Sequence, residues 1–110
     1  MSDCIFCKIR DKEIPGDFLY EDENFFCVKD ISPQAPTHVL IIPKKHVTDI
    51  AQADESTRGS LLSVAVEVSK SLGIEKGYRL VMNKGSDGGQ TVFHLHLHLL
   101  GGQALGGGFA

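Results

Sequence analysis

Two hydrophobic periods alternate along this chain, and their order predicts its elements. Residues 18–21 and 25–29 are rich in β-forming side chains, and the polar Asp22-Glu23-Asn24 between them predicts a hairpin. Ser32-Pro33-Gln34-Ala35-Pro36 forces an irregular loop, because each proline removes a donor and restricts the residue before it. Val39-Leu40-Ile41-Ile42 reads as a third strand, closed by Pro43. Across residues 54–72 the period lengthens: Leu61, Ala65, Val68 and Leu72 recur at helical spacing, with Leu62 and Val66 alongside. Asp54 or Ser56 is placed to cap that helix, and Gly73 to end it. Residues 5–12 form a short helix or turn before the turn signal Ile14-Pro15-Gly16. Residues 78–83 and 91–100 supply two more strands, joined by Gly85-Ser86-Asp87-Gly88-Gly89-Gln90. Connections this short suit antiparallel neighbours. The expected class is α+β, an antiparallel sheet of about five strands with one long and one short helix.

The whole chain, residues 1–110, fits one domain, and 42% hydrophobic residues suffice for a core without disulfide staples. The glycine-rich residues 103–110 are expected to be a flexible tail or one docked on a partner. The net charge of -3 carries no basic stripe, which argues against a nucleic-acid partner. A small phosphate ligand remains open, because a few backbone N–H groups can hold one. The first residues lack the basic region and apolar run of a signal peptide, and no apolar run is long enough to span a bilayer. Three cysteines do not make a secreted disulfide framework. The expected home is the reducing cytoplasm, away from membranes.

The chemistry concentrates in Phe93-His94-Leu95-His96-Leu97-His98-Leu99-Leu100. Alternation with period two puts His94, His96 and His98 on one face and Leu95, Leu97 and Leu99 on the other. Three titratable rings on one face repel when charged and bring no structural benefit, so a site is expected rather than an ordinary polar face. Just upstream, Gly88-Gly89 lets backbone N–H groups approach an anion, with Gln90 and Thr91 as further donors. Asn83 is placed either to add an amide to that pocket or simply to make a turn. Cys4 and Cys7 form a Cys-x-x-Cys pair, open to reading as zinc ligands, a redox dithiol or two buried cysteines. Cys27, in a strand, reads as a core residue.

The run from His94 to Leu100 resembles the His-x-His-x-His-x-x signature of the histidine-triad superfamily. Asp30 to His46 and Gly77 to Gly102 resemble its Hint branch, the purine nucleoside phosphoramidases. The resemblance implies a covalent nucleotidyl-enzyme formed on His96, with His98 assisting the leaving group and His38 supporting the triad that His94 begins. It implies a nucleotide site built from Asp30 on the ribose hydroxyls, Ile31 at the base, and Asn83, Gly89, Gln90 and Thr91 near the phosphate. Asp30 also has a plainer reading, as the cap of the Ser32-Pro33 turn. The substrates implied are purine nucleoside monophosphates and their conjugates.

Some superfamily members bind a structural zinc through two cysteines, a distal histidine and the first triad histidine. Here that set is Cys4, Cys7, His46 and His94, and no metal is implied for catalysis. The resemblance also implies a homodimer that extends the sheet. Two other readings remain: a hydrolase with one zinc shared by His94, His96 and His98, and a nucleotide-binding interaction module with weak turnover.

Overall fold

The computed structural model describes residues 3–108. Met1 and Ser2, at the start read as lacking a leader, and Phe109 and Ala110, at the end of the expected tail, lie outside the described residues.

The hairpin forms as expected from β1 (Phe18–Glu21) and β2 (Phe25–Lys29), which pair antiparallel. Asp22 builds its turn, one carboxylate oxygen accepting from the amides of Asn24 and Phe25 at 2.7 Å each. β3 (Thr37–Pro43) runs longer than its apolar stretch and pairs with β2 from Lys29↔Val39 to Phe25↔Pro43. β5 (Leu97–Gly101) pairs with β3 on one side and with β4 (Tyr78–Val81) on the other. The sheet order is β1-β2-β3-β5-β4. Every neighbouring pair is antiparallel, so the α+β reading holds.

The last two strands are shorter than the sequence pattern suggests. β4 stops at Val81 rather than Asn83, and β5 begins at Leu97 rather than Thr91. The β3–β5 ladder ends at Ile41↔Leu97, and the next carbonyls along β3 find other partners. The Pro43 carbonyl accepts from the His94 ring at 2.8 Å, and Leu95 N–H donates to Val47 at 2.8 Å. The alternation survives without the ladder. Leu95, Leu97 and Leu99 are all buried in one core cluster.

Helix α2 (Glu55–Ser71) covers that face of the sheet with Leu61, Val64, Ala65 and Val68. Of its two candidate caps, Asp54 is the one used, accepting from Thr57 N–H at 2.7 Å, and Gly73 at φ +74° follows its end. Helix α1 (Ile5–Arg10) is one turn and a half, and its Phe6 packs with Phe26, Val28, Leu40 and Ile42 on the opposite face. Cys27 is fully buried in the α2-side core, where desolvation pushes its thiol up to about 12. Among the described residues no helix is long and apolar enough to cross a membrane.

Candidate active site and metal centre

His98 pairs across the ladder with Leu40, so its side chain emerges on the face that α2 leaves uncovered. His38 lies two residues before Leu40 on the same face, and its Nε2 is 2.9 Å from His98 Nδ1. The backbone decides which ring holds the proton. Gln34 N–H donates to His38 Nδ1 at 3.0 Å, so Nδ1 offers a lone pair and Nε2 carries hydrogen. His38 Nε2–H therefore donates to His98 Nδ1, and His98 keeps its own proton on Nε2. His96 is fixed in the opposite sense: its Nδ1–H donates to the His94 carbonyl at 2.8 Å, leaving Nε2 as a lone pair. One ring is ready to attack, and its neighbour is ready to give a proton.

Burial keeps both rings neutral. Desolvation lowers His96, against the opposing pull of the His94 carbonyl and the Asp30 charge. Desolvation also brings His98 to about 4, helped by the neighbouring His96 and His38 rings.

These rings line a cavity of about 340 Å³ together with Asp30, Ile31, Asn83, Gly89 and Thr91. Its far end is apolar, walled by Ile5, Phe6 and Ile9 of α1 and by Val28, Leu40 and Val92. Ile31 hangs over it 95% exposed, an unusual position for a large aliphatic side chain without a ligand or partner to cover it. Asp30 uses one oxygen to accept from Ser32 N–H at 2.8 Å and brings the other within 3.4 Å of His38 Nε2. The depression of about 360 Å³ beside Lys44, Asp54 and Ser56 has no histidine or cysteine in its wall.

On the other side of Phe6, four ligand-type side chains converge. His94 Nδ1 lies 3.2 Å from Cys4 Sγ, 3.6 Å from Cys7 Sγ and 3.0 Å from His46 Nδ1, and Cys7 Sγ is 3.4 Å from His46 Nδ1. A tetrahedral zinc with its usual bonds spaces such atoms about 3.3–3.8 Å apart. The four distances, 3.0–3.6 Å, lie within about 0.3 Å of that span, and the donor set of two thiols and two imidazoles suits that ion. His94 Nε2–H donates to the Pro43 carbonyl, which turns the Nδ1 lone pair inward as a metal ligand needs. Burial raises the Cys4 thiol and brings the His94 ring down to about 4, so the ring is neutral, the form in which imidazole binds a metal.

A second grouping, Asp30, His38 and His98, also has three ligand types within reach of one point. It does not suit a metal. An ion on His38 Nε2 would force hydrogen onto Nδ1, directly against the Gln34 N–H. A zinc shared by His94, His96 and His98 fits no better, since their ring nitrogens point to three different partners.

Comparison with known proteins gives the family and the fold. Residues 11–105 match the model of the HIT domain. The chain belongs to the HIT family. It is 48% identical over 106 residues to the purine nucleoside phosphoramidase of Escherichia coli K12, covering 93% of this chain and 89% of that one. Solved HIT family hydrolases share its fold. That of Clostridium thermocellum superposes with a TM-score of 0.92 at 46% identity, covering 100% of this chain and 99% of that chain. That of Legionella pneumophila superposes at 0.90 and 45% identity, covering 96% and 97%.

Within this HIT fold the structure gathers most of the expected site residues and moves two. His38, His96, His98, Asp30, Ile31, Asn83, Gly89 and Thr91 meet at or beside the cavity. His94 does not line it. That ring is fully buried among the cysteines and His46, and only its carbonyl reaches the reacting group, through His96. Gln90 is also absent from the wall. Its amide is spent on Gly85 N–H and on the carbonyls of Thr48 and Val92, so it clamps the loop instead of offering donors. The amides of Gly88, Gly89 and Gln90 likewise turn inward to Gly85 and Ser86, so Gly89 brings no free N–H. Among the described residues the Thr91 amide has no such partner and is left for an anion. Gly89 sits at φ +87°, and Asn83 holds the turn by donating to Gly88 O at 2.7 Å. The pattern reading missed the α1 wall, although Ile5, Phe6 and Ile9 repeat at helical spacing between and after the two cysteines.

Proposed function

We propose that this chain is a hydrolase that releases nucleoside monophosphates, purine ones preferentially, from small leaving groups through a covalent nucleotidyl-His96 intermediate. The bond cleaved is P–N, or a related phosphoanhydride or acyl phosphate. The observation that carries the reading is the paired tautomers, with His96 Nε2 bare and His98 Nε2 protonated at one cavity. His96 Nε2 attacks phosphorus, the bond to the leaving group breaks, and His98 is placed to hand that group a proton. Water then attacks the same phosphorus and gives a proton to His98 Nε2, restoring it, while the P–Nε2 bond breaks and free monophosphate and neutral His96 return. His38 positions His98 by fixing its tautomer.

The Thr91 amide and hydroxyl, with Asn83, would take the phosphoryl oxygens, and Gly89 gives the close approach its lack of Cβ allows. Asp30 would accept from the ribose hydroxyls, and the base would lie between Ile31 and the α1 wall. The purine preference is supported by the name of the Escherichia coli relative. Cys4, Cys7, His46 and His94 would hold a zinc ion, which supplies a structural cross-link and takes no part in the bond changes. A homodimer is proposed as well, supported by apolar side chains that α2 and β4 leave exposed.

The test is an acid quench of the enzyme mixed with an adenosine phosphoramidate, followed by peptide mapping. The phosphorus adduct is expected on His96, and turnover by His96→Asn is expected to fall by about a thousandfold or more with AMP binding retained. An adduct on any other residue would refute the assignment.

A further inference from the structure

Cys4-Ile5-Phe6-Cys7 joins the two sites of this molecule in four consecutive residues. The outer pair belongs to the candidate metal centre, and the inner pair lines the cavity's apolar end, with Ile9 one turn further along α1. α1 has only six residues, far below the length at which a helix is stable by itself. Its own anchors are few: only Phe6 and Cys7 are buried, Arg10 donates to the Lys44 carbonyl at 2.7 Å, and Ile5 is 41% exposed. Phe6 stands edge-on to both His94 and His96, with centroids 5.8 and 5.0 Å away, so it is the wall between centre and cavity.

We infer that the metal centre sets the affinity of the base-binding wall: an ion on Cys4, Cys7, His46 and His94 locks α1 in place, so nucleobase binding depends on its occupancy. This rests on the reading of the cavity as a nucleotide site. Ribose and phosphate contacts are expected to be independent of the ion. Asp30, Asn83, Gly89 and Thr91 lie on other segments, and the His94 carbonyl that orients His96 is held by the Pro43 contact of its own ring and by buried Leu95. His46 is exposed, which gives an ion a path in and out of the folded chain.

The experiment compares AMP with ribose 5-phosphate by calorimetry on zinc-loaded and chelator-stripped full-length chain. Stripping is expected to weaken AMP about tenfold, within the ordinary span of coupled sites, and to change ribose 5-phosphate less than twofold. Zinc should restore AMP binding. Phe6→Ala should weaken AMP similarly in the zinc-loaded chain and add little once the metal is gone. A second measurement avoids any need for a stable metal-free fold. By reciprocity, saturating AMP should tighten zinc against a competing chelator about tenfold, and ribose 5-phosphate should not. Equal weakening of both ligands on stripping, or no effect of AMP on zinc affinity, overturns the inference. If the zinc-loaded chain binds AMP no better than ribose 5-phosphate, the nucleotide reading itself fails, and the two failures are told apart.

Discussion

Asp30 shows at the scale of one residue how a turn cap and a ligand group can be the same carboxylate. One oxygen caps the turn by accepting from Ser32 N–H, while the other lies near His38 and the group as a whole lines the cavity. The two duties separate under substitution. An asparagine keeps an oxygen that can accept from Ser32, so Asp30→Asn is expected to leave thermal stability nearly unchanged. It removes the charge that would strengthen bonds from the ribose hydroxyls under the proposed reading. Binding of AMP is expected to weaken by about 1–3 kcal/mol, and that of dAMP by much less, since one hydroxyl is already missing. Titration of both nucleotides against both variants checks this. An unchanged AMP-to-dAMP ratio would leave Asp30 as a turn cap alone.

At the scale of elements, the loop from Gly85 to Gln90 is held by its last residue. Gln90 is 4% exposed and ties Gly85, Thr48 and Val92 together with one side chain. Gln90→Ala would strand three backbone groups, at about 1–3 kcal/mol for each that stays buried and unpaired. A loss of about 2–4 kcal/mol in denaturant unfolding is expected, together with slower turnover as Asn83 and Gly89 lose their setting. A variant as stable and active as the parent would show that water replaces the clamp. The sequence could not reveal this duty, because a glutamine beside two glycines reads equally well as a ligand donor. Continuous apolar runs mark β2 and β3, which are buried on both faces, and the helical period marks α2, which buries one face. The period-two alternation overran the start of β5. Leu95 still faces the core just before the ladder begins while residues 92–94 bend, so periodicity alone has no signal for the missing partner. The period alone made His94, His96 and His98 legible as a group, and only the family resemblance offered a division of labour, because that depends on how β3 and α1 approach them. The α1 wall was hidden for the same reason: residues 5–9 and 96–98 are brought together by packing across the sheet.

For the whole molecule, the two faces of the sheet have different fates. α1 and the cavity occupy one face, and α2 covers the other without reaching its edge. β4 is an edge strand, and its Leu80 pairs with Leu99, so its side chain points to the α2 face. Leu80 remains 36% exposed there, while α2 leaves Leu62 51% and Val66 40% exposed one helical turn apart. An uncovered strand edge beside apolar side chains is a surface that natural proteins shield or pair. The Arg79 guanidinium holds the Gly106 carbonyl, which fastens part of the expected tail beside β4 within the same chain. Pairing through α2 and β4 would bury these leucines and the valine twice over, at about 1.5–3 kcal/mol for each side chain fully covered. Sedimentation at micromolar concentration is therefore expected to give twice the 12.0 kDa chain mass. Leu62→Lys with Val66→Lys is expected to give monomers, because two buried lysines would face each copy's own counterparts across the axis. None of the residues of this chain that line the cavity lies on α2 or β4, so that monomer is expected to bind AMP within about threefold of the parent. A parent that sediments as a monomer would remove the dimer, and lysine variants that stay dimeric would move the interface off α2.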